Sequence, residues 1–151
     1  MPKKIQSFNG RYGFLSNFSE DGFEHDGIYY PTNEHFFQAM KVLDDETRKE
    51  IAAADTPSQS KKMGRRVKLR DNWDRLRHRV MKKGLYEKFT QNPELKAKLM
   101  STGNSQIIEG NTWHDNEWGD CRCKRCNNTE GKNFLGKYLM ELRAHFNGES
   151  E

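Results

Sequence analysis

The stretch PTNEHFFQAMK, residues 31–41, sets a carboxylate, an amide and an amine beside two phenylalanines. On a helix, Glu34, Gln38 and Lys41 fall at i, i+4 and i+7 and share one face, with Phe37 beside them. Such a face can orient a polar ligand that contains a ring. Glu34 can act as a general base, or stabilise positive charge on a sugar as its C–N bond breaks. Lys41 can bind phosphate or, once desolvated, act as an amine nucleophile. The same spacing also fits ordinary surface pairing of Glu with Lys, with Glu34 complementing the helix dipole.

Other segments hold further candidates. GRYGFLSNF (10–18) ends in Asn17 and Phe18, an amide and a ring that can line a pocket; a hairpin with an apolar anchor is the plainer reading. GRRVKLRDNW (64–73) sets Arg65 and Arg66 ahead of Trp73. Guanidinium forks suit phosphate oxygens, and an indole can stack on a base or anchor a helix in the core. NTWHDNEWGDCRCKRC (111–126) gathers Asp115, Glu117 and Asp120 around Trp118 and Gly119 in a long polar loop. That density of functional groups is unusual for a connector. Cys121, Cys123 and Cys126 are spaced C-x-C-x-x-C. A zinc site wants four ligands, so these thiols would need His114 as the fourth; without a second C-x-x-C the default is three reduced thiols and no metal. GKNFLG (131–136) lacks the pattern of a P-loop. Lys132 and Asn133 precede a helix, where Asn133 can cap it or help its N-terminus hold an anion.

The elements that must position these groups follow from local signals. IQSF-NG-RYGF and GFEH-DG-IYY each place Asn-Gly or Asp-Gly between apolar runs, which predicts two short hairpins. Thr32 is the expected N-cap of the first helix, with Phe36, Ala39, Met40 and Leu43 as its buried stripe. A second helix is expected over DDETRKEIAAA, with acids in its first turn. A third restarts at Thr56 or Ser58. A long helix runs from Asp71 or Asn72 to Phe89, and another from Asn92-Pro93 to Gly103. QIIE (106–109) reads as a short strand, 110–133 as a loop, and NFLGKYLMELRAHF as the last helix. The class is α+β: a compact, mostly helical single domain, 1–151 with its core at about 9–147, with short N-terminal β-hairpins.

At 151 residues the chain is long enough for one core. Only 33% of residues are hydrophobic, so the aromatics, at 11%, must supply much of that core and argue against disorder. The net charge of +4 is unevenly placed. Eleven Lys or Arg and two Asp lie between Lys61 and Lys83, and the remainder is net acidic. A patch of that kind attracts phosphates in nucleotides or nucleic acid, or is a solvated helix face. No apolar run approaches a membrane span, and MPKKIQSFNG lacks the apolar core of a signal peptide. A cytoplasmic protein with reduced cysteines is expected.

Taken in order, RYGFLSNF, PTNEHFFQAMK, MGRRVKLRDNW, EWGD and GKNFLGKYLMELR resemble the NADAR family of YbiA-like N-glycosidases. The likeness runs from about Asn9 to Phe146. It implies a compact, mostly helical α+β fold and hydrolysis of an N-glycosidic bond at a ribose, without cofactor. The implied substrates are of two sorts: ribosylamino-pyrimidine phosphates of early riboflavin biosynthesis, and ADP-ribose attached to guanine in a nucleotide or DNA, an ADP-ribosylglycohydrolase-type reaction. By the same resemblance Glu34 is the acidic residue of the T-x-E-H motif. Lys41 is the motif's closing lysine, implied to attack the anomeric carbon and form a Schiff base with the opened ribose. Trp73 is a site aromatic, Asn17 and Phe18 line the pocket, and one of Asp115 and Asp120 joins it. The CRCKRCNNTE insertion departs from the simplest members. A binding module for ADP-ribose or NAD-derived ligands is the alternative from a different class, and a zinc-containing nucleic-acid-binding domain a third. The expected partner is a nucleotide-like small molecule or an ADP-ribosylated guanine in nucleic acid, with no membrane involved.

Overall fold

The computed structural model describes residues 3–150; positions 1, 2 and 151 of the expected domain lie outside the described residues. In chain order the elements are β1 (Lys4–Ile5), a 3-10 turn (Gly10–Leu15), β2 (Phe23–His25), β3 (Ile28–Tyr30), α1 (Asn33–Ala39), α2 (Asp45–Ala52), α3 (Pro57–Gly64) and α4 (Trp73–Gln91). Then follow α5 (Pro93–Ser101), β4 (Gln106–Ile107), β5 (Gly110–Asn111), β6 (Asp120–Cys121), a second 3-10 turn (Lys124–Cys126) and α6 (Phe134–Ser150). The α+β class, mostly helical with short strands, is the one expected. The backbone forms two compact units: Met1–Ser16 with Glu94–Glu151, and Asn17–Pro93. No helix among the described residues is long and apolar enough to cross a membrane.

The Asn17–Pro93 unit is built around α1. The β2–β3 hairpin pairs Phe23 with Tyr30 and His25 with Ile28 across Asp26-Gly27. Both turn residues have positive φ, 51° and 83°, as a two-residue I′ turn requires. The rings of Phe23, His25 and Tyr30 meet Phe36 edge-on, with centroids 5.1–5.4 Å away. Helices α2, α3 and α4 pack on α1 as well, so every residue from Asn33 to Ala39 is buried. Each of the first three helices begins as its sequence dictates. The side chains of Thr32, Asp44 and Thr56 accept the backbone N–H groups of His35, Thr47 and Gln59.

In the other unit, β1 and β4 pair in parallel, Ile5 with Ile107, as do β5 and β6, Asn111 with Cys121. Ile5, Ile107, Leu135, Leu139 and Phe146 are buried. The buried Arg143 guanidinium donates to Thr102 Oγ1 and to the Ser105 carbonyl, each at 2.8 Å.

Two expectations are corrected. The hairpin over IQSF-NG-RYGF does not form: Asn9 is extended, with φ −138°, and only Gly10 has positive φ. That pair cannot make a I′ turn, so residues 10–15 coil into a 3-10 turn, and the strand before them finds its partner a hundred residues on. The buried stripe also stops short. Helix α1 ends at Ala39, Met40 caps it, and Leu43 is 67% exposed, because beyond the last helical turn the i+7 spacing no longer holds a residue on the same face.

Candidate active site

The chemistry-bearing groups of the Asn17–Pro93 unit lie along α1 and just past its C-terminal end. Glu34 and Gln38 are one turn apart and buried, Glu34 at 8% exposure. Gln38 Nε2 donates to Glu34 Oε2 at 2.6 Å. This sets the amide's orientation, because only its nitrogen can serve a carboxylate. Gln38 Oε1 is consequently buried with no hydrogen-bond partner, an arrangement that ordinarily costs about 1–3 kcal/mol. Room for the amide exists because position 64 is glycine: a Cβ there would overlap Gln38 Oε1 and come within 2.8 Å of Gln38 Cδ.

Lys41 lies just past the helix rather than on it, a correction to the i, i+4, i+7 face. Its N–H bonds to the Gln38 carbonyl at 3.2 Å, a tightened last turn that keeps it beside the Glu34–Gln38 pair. The Lys41 Nζ donates to the Gly64 carbonyl at 3.4 Å. Burial lowers the Lys41 ammonium below its usual range; the Glu34 carboxylate raises it again, and the Arg65 and Lys61 charges lower it. The following loop is tied back on this end of α1, Arg70 N–H donating to the Lys41 carbonyl at 2.8 Å.

Phe37 and Trp73 are both buried and meet edge to face at 5.3 Å, so the Trp that opens α4 covers the flank of the same helix. Asn17 supports the site from behind. Its carbonyl accepts Glu34 N–H at 3.0 Å, its Oδ1 accepts Asn33 Nδ2 at 2.8 Å, and its Nδ2 faces Met81 Sδ at 3.4 Å. Phe18, Arg65 and Arg66 are exposed.

The loop candidates belong to the other compact unit. Asp115 Oδ1 accepts the N–H groups of Glu117 at 3.1 Å and Trp118 at 2.9 Å. Asp120 Oδ1 accepts Gly131 N–H at 3.0 Å, and its Oδ2 lies 3.5 Å from Arg122 Nε. Both carboxylates thus brace their own loop. Trp118 lies edge-on to Phe134 and Tyr138, and Gly119 is buried. The amide of Asn133 is spent on main chain, donating to Ile107 O and accepting Glu109 N–H, both at 2.9 Å; it ties α6 to the segment following β4. The thiols of Cys121, Cys123 and Cys126 and the ring of His114 come together within 4.8 Å, a group that could hold a metal ion among the described residues.

Three buried residues of this unit were not singled out from sequence. Burial lowers the pKa of His35, against the raising effect of its hydrogen bond to the Ala54 carbonyl. Its Nε2–H donates to the Ala54 carbonyl at 2.9 Å, so Nδ1 accepts the Thr32 hydroxyl at 2.8 Å, fixing the start of α1 to the end of α2. Its signal was its place inside the T-x-E-H motif. Gly64 carried no signal. Lys88 is fully buried and pushed down to about 7 by burial, against the opposing charge of Asp21; its position on the helical stripe with Gly84, Leu85 and Phe89 was the available clue.

With the geometry in view, comparison with known proteins is specific. The NADAR domain model matches residues 6–147. "N-glycosidase YbiA" of Shigella boydii serotype 4 (strain Sb227) is 44% identical over 134 residues, 87% of this chain and 80% of that protein. "N-glycosidase Npun_R5314" of Nostoc punctiforme is 34% identical over 137 residues, 87% and 84% of the two. The NMR structure of the Escherichia coli protein YbiA superposes with a TM-score of 0.84 at 37% identity, covering 99% of this chain and 89% of that one. The chain belongs to the NADAR domain family.

Proposed function

We propose that this chain is an N-glycosidase that cleaves the bond between a ribose and a base, with Glu34 and Lys41 as its catalytic residues and ADP-ribose on guanine as its preferred substrate. The class of reaction, hydrolysis of an N-glycosyl compound, is that of the relatives at 34–44% identity. The observation that carries the residue assignment is the buried Glu34 carboxylate, oriented by Gln38 at 2.6 Å, with a half-buried lysine beside it.

Breaking the C1′–N bond sends its electron pair to the base and puts positive charge on the ribose; the base takes up the proton that the Lys41 amine sheds on bonding to C1′. A desolvated, fixed carboxylate stabilises that charge far better than water does. Burial favours the free amine of Lys41, which attacks C1′. Ring opening then gives a Schiff base. Water hydrolyses it, returning the lysine and releasing the sugar with its free anomeric hydroxyl. Phe37 and Trp73 supply apolar walls, and the exposed Arg65 and Arg66 supply forks for phosphate. The dense basic stretch from Lys61 to Lys83 favours a substrate bearing pyrophosphate or DNA over one with a single small phosphate. Asp115 and Asp120 act by holding the loop that carries Trp118 and Gly119.

The test is release of ADP-ribose from a guanine-ADP-ribosylated oligonucleotide, which restores the unmodified strand, followed by chromatography. Glu34→Ala and Lys41→Ala are each expected to lower turnover by at least about 10²–10³-fold. Borohydride added during turnover should trap the sugar on Lys41. Cleavage of a ribosylamino-pyrimidine phosphate alone would move the substrate to the riboflavin branch. Tight ADP-ribose binding with no turnover of either substrate would replace the enzyme by a binding module.

A further inference from the structure

We propose that His114, Cys121, Cys123 and Cys126 form a structural zinc site that clasps the long loop. The inference does not rest on the proposed substrate or on the roles of Glu34 and Lys41.

All three cysteines of the chain converge on one histidine. His114 Nδ1 lies 3.3 Å from Cys123 Sγ, 3.5 Å from Cys126 Sγ and 4.0 Å from Cys121 Sγ. A tetrahedral zinc with bonds of about 2.3 Å to sulfur and about 2.0–2.1 Å to nitrogen places such ligand atoms about 3.5–3.6 Å apart, and the observed distances bracket that spacing. Hydrophobic packing does not account for the cluster, since His114 is exposed and Cys123 and Cys126 are only half-buried.

The surrounding backbone and charges suit the same reading. His114 sits at φ +68°, a left-handed conformation that costs a non-glycine residue about 1–2 kcal/mol and that a metal–nitrogen bond would offset. Cys123 and Cys126 lie on a tight knuckle, Cys126 N–H donating to the Cys123 carbonyl at 3.1 Å. Cys123 N–H points at Cys121 Sγ from 3.5 Å, a donor aimed at a sulfur that would carry negative charge as a thiolate. Three thiolates around a dication leave one negative charge. Arg122, Lys124 and Arg125 are interleaved with the cysteines to compensate it.

Four protein ligands fill the tetrahedron, so no position remains for water and the role is structural. Its target is defined by chain order. His114 and Cys121 flank the hexapeptide 115–120, so one ion pins both ends of the segment that carries Asp115, Trp118, Gly119 and Asp120.

The full chain, expressed without added metal and purified under reducing conditions, is analysed for transition metals by mass spectrometry. About one zinc per chain is expected, falling to near zero in Cys123→Ser and His114→Ala. Because those variants could fail to fold, wild-type protein is also stripped and titrated with cobalt. Tetrahedral d–d bands with a thiolate-to-cobalt charge-transfer band, saturating near one equivalent and bleached by zinc, are expected. Less than about a tenth of an equivalent of metal together with no cobalt bands would overturn the proposal. So would stoichiometric iron in place of zinc, a disulfide between two of the three cysteines in reduced preparations, or full zinc content in a folded Cys123→Ser variant.

Discussion

Gly64→Ala separates the chemistry of the Glu34–Gln38 pair from the stability of the fold. Gly64 ends α3, and in a helix alanine is favoured over glycine by about 0.8–1.0 kcal/mol. The obstacle is one side chain. The new Cβ would overlap Gln38 Oε1 and sit 2.8 Å from its Cδ and 3.2 Å from its Cβ. Carbon atoms rest at about 3.5–4.0 Å, so the amide must withdraw by about 1 Å. The amide is the free end of a flexible chain, so it swings away without moving backbone, and its 2.6 Å hydrogen bond to Glu34 is lost. A hydrogen bond to a charged group is worth about 1.5–3 kcal/mol, so turnover should fall about 10- to 100-fold. The lost hydrogen bond outweighs the gain in helix propensity by about 0.5–2 kcal/mol, so Tm should fall by about 1–8 °C with the fold intact. The assay is ADP-ribose release alongside a thermal melt. The Gln38→Ala single and Gln38→Ala/Gly64→Ala double variants complete a cycle, in which the double variant should be no slower than Gln38→Ala alone. Wild-type turnover in Gly64→Ala, or losses that simply add in the double variant, would refute the claim that Gly64 acts through the Gln38–Glu34 contact.

The loop acids are distinguished from catalysts by conservative substitution. Asp115→Asn and Asp120→Asn keep an acceptor for the N–H groups they brace, so both should retain most activity, whereas the alanine variants lose it; an inactive asparagine variant in a folded protein would make that carboxylate catalytic. Lys88 gives a pH signature. Its pKa is lowered to about 7 by burial, against the raising effect of Asp21, while the unfolded value is near 10.4. Between these values the unfolded chain binds a proton that the native chain has shed, so unfolding free energy rises with pH across that window and the penalty is fullest below it. Lys88→Met should flatten that rise and stabilise the protein by a few kcal/mol near neutral pH, which denaturant melts at pH 6.5 and 9.5 would measure. Parallel profiles in the two proteins would contradict it.

Much of the architecture was decided within a few residues at a time. Thr32, Asp44 and Thr56 each find a backbone N–H three positions on, Asp26-Gly27 turns a hairpin on its own, and Pro93 opens a helix. These are short-range steric and hydrogen-bonding preferences, and they are legible because both partners lie in one window of sequence. The motif carrying Glu34, Gln38 and Lys41 was legible for the same reason, although the end of α1 at Ala39 was not. What the sequence could not decide is pairing over distance. Asn-Gly at residues 9–10 promised a hairpin, but β1 pairs with β4 because closing a long loop costs only slowly more than closing a short one and the parallel partner buries Ile5 against Ile107. The fit of Gly64 under Gln38 joins two helices whose contact no local pattern announces. The burial of Lys88 depends on what packs around α4. His114 reaches three thiols spaced along residues 121–126 only because the loop folds back on itself and holds His114 in a left-handed conformation. Residue types and spacing therefore determined which chemistry was possible here. Tertiary packing decided which carboxylate is desolvated and oriented, which acids accept the N–H groups of their own loop, and which thiols meet, because desolvation and ligand geometry are properties of the folded surroundings and not of the residues alone.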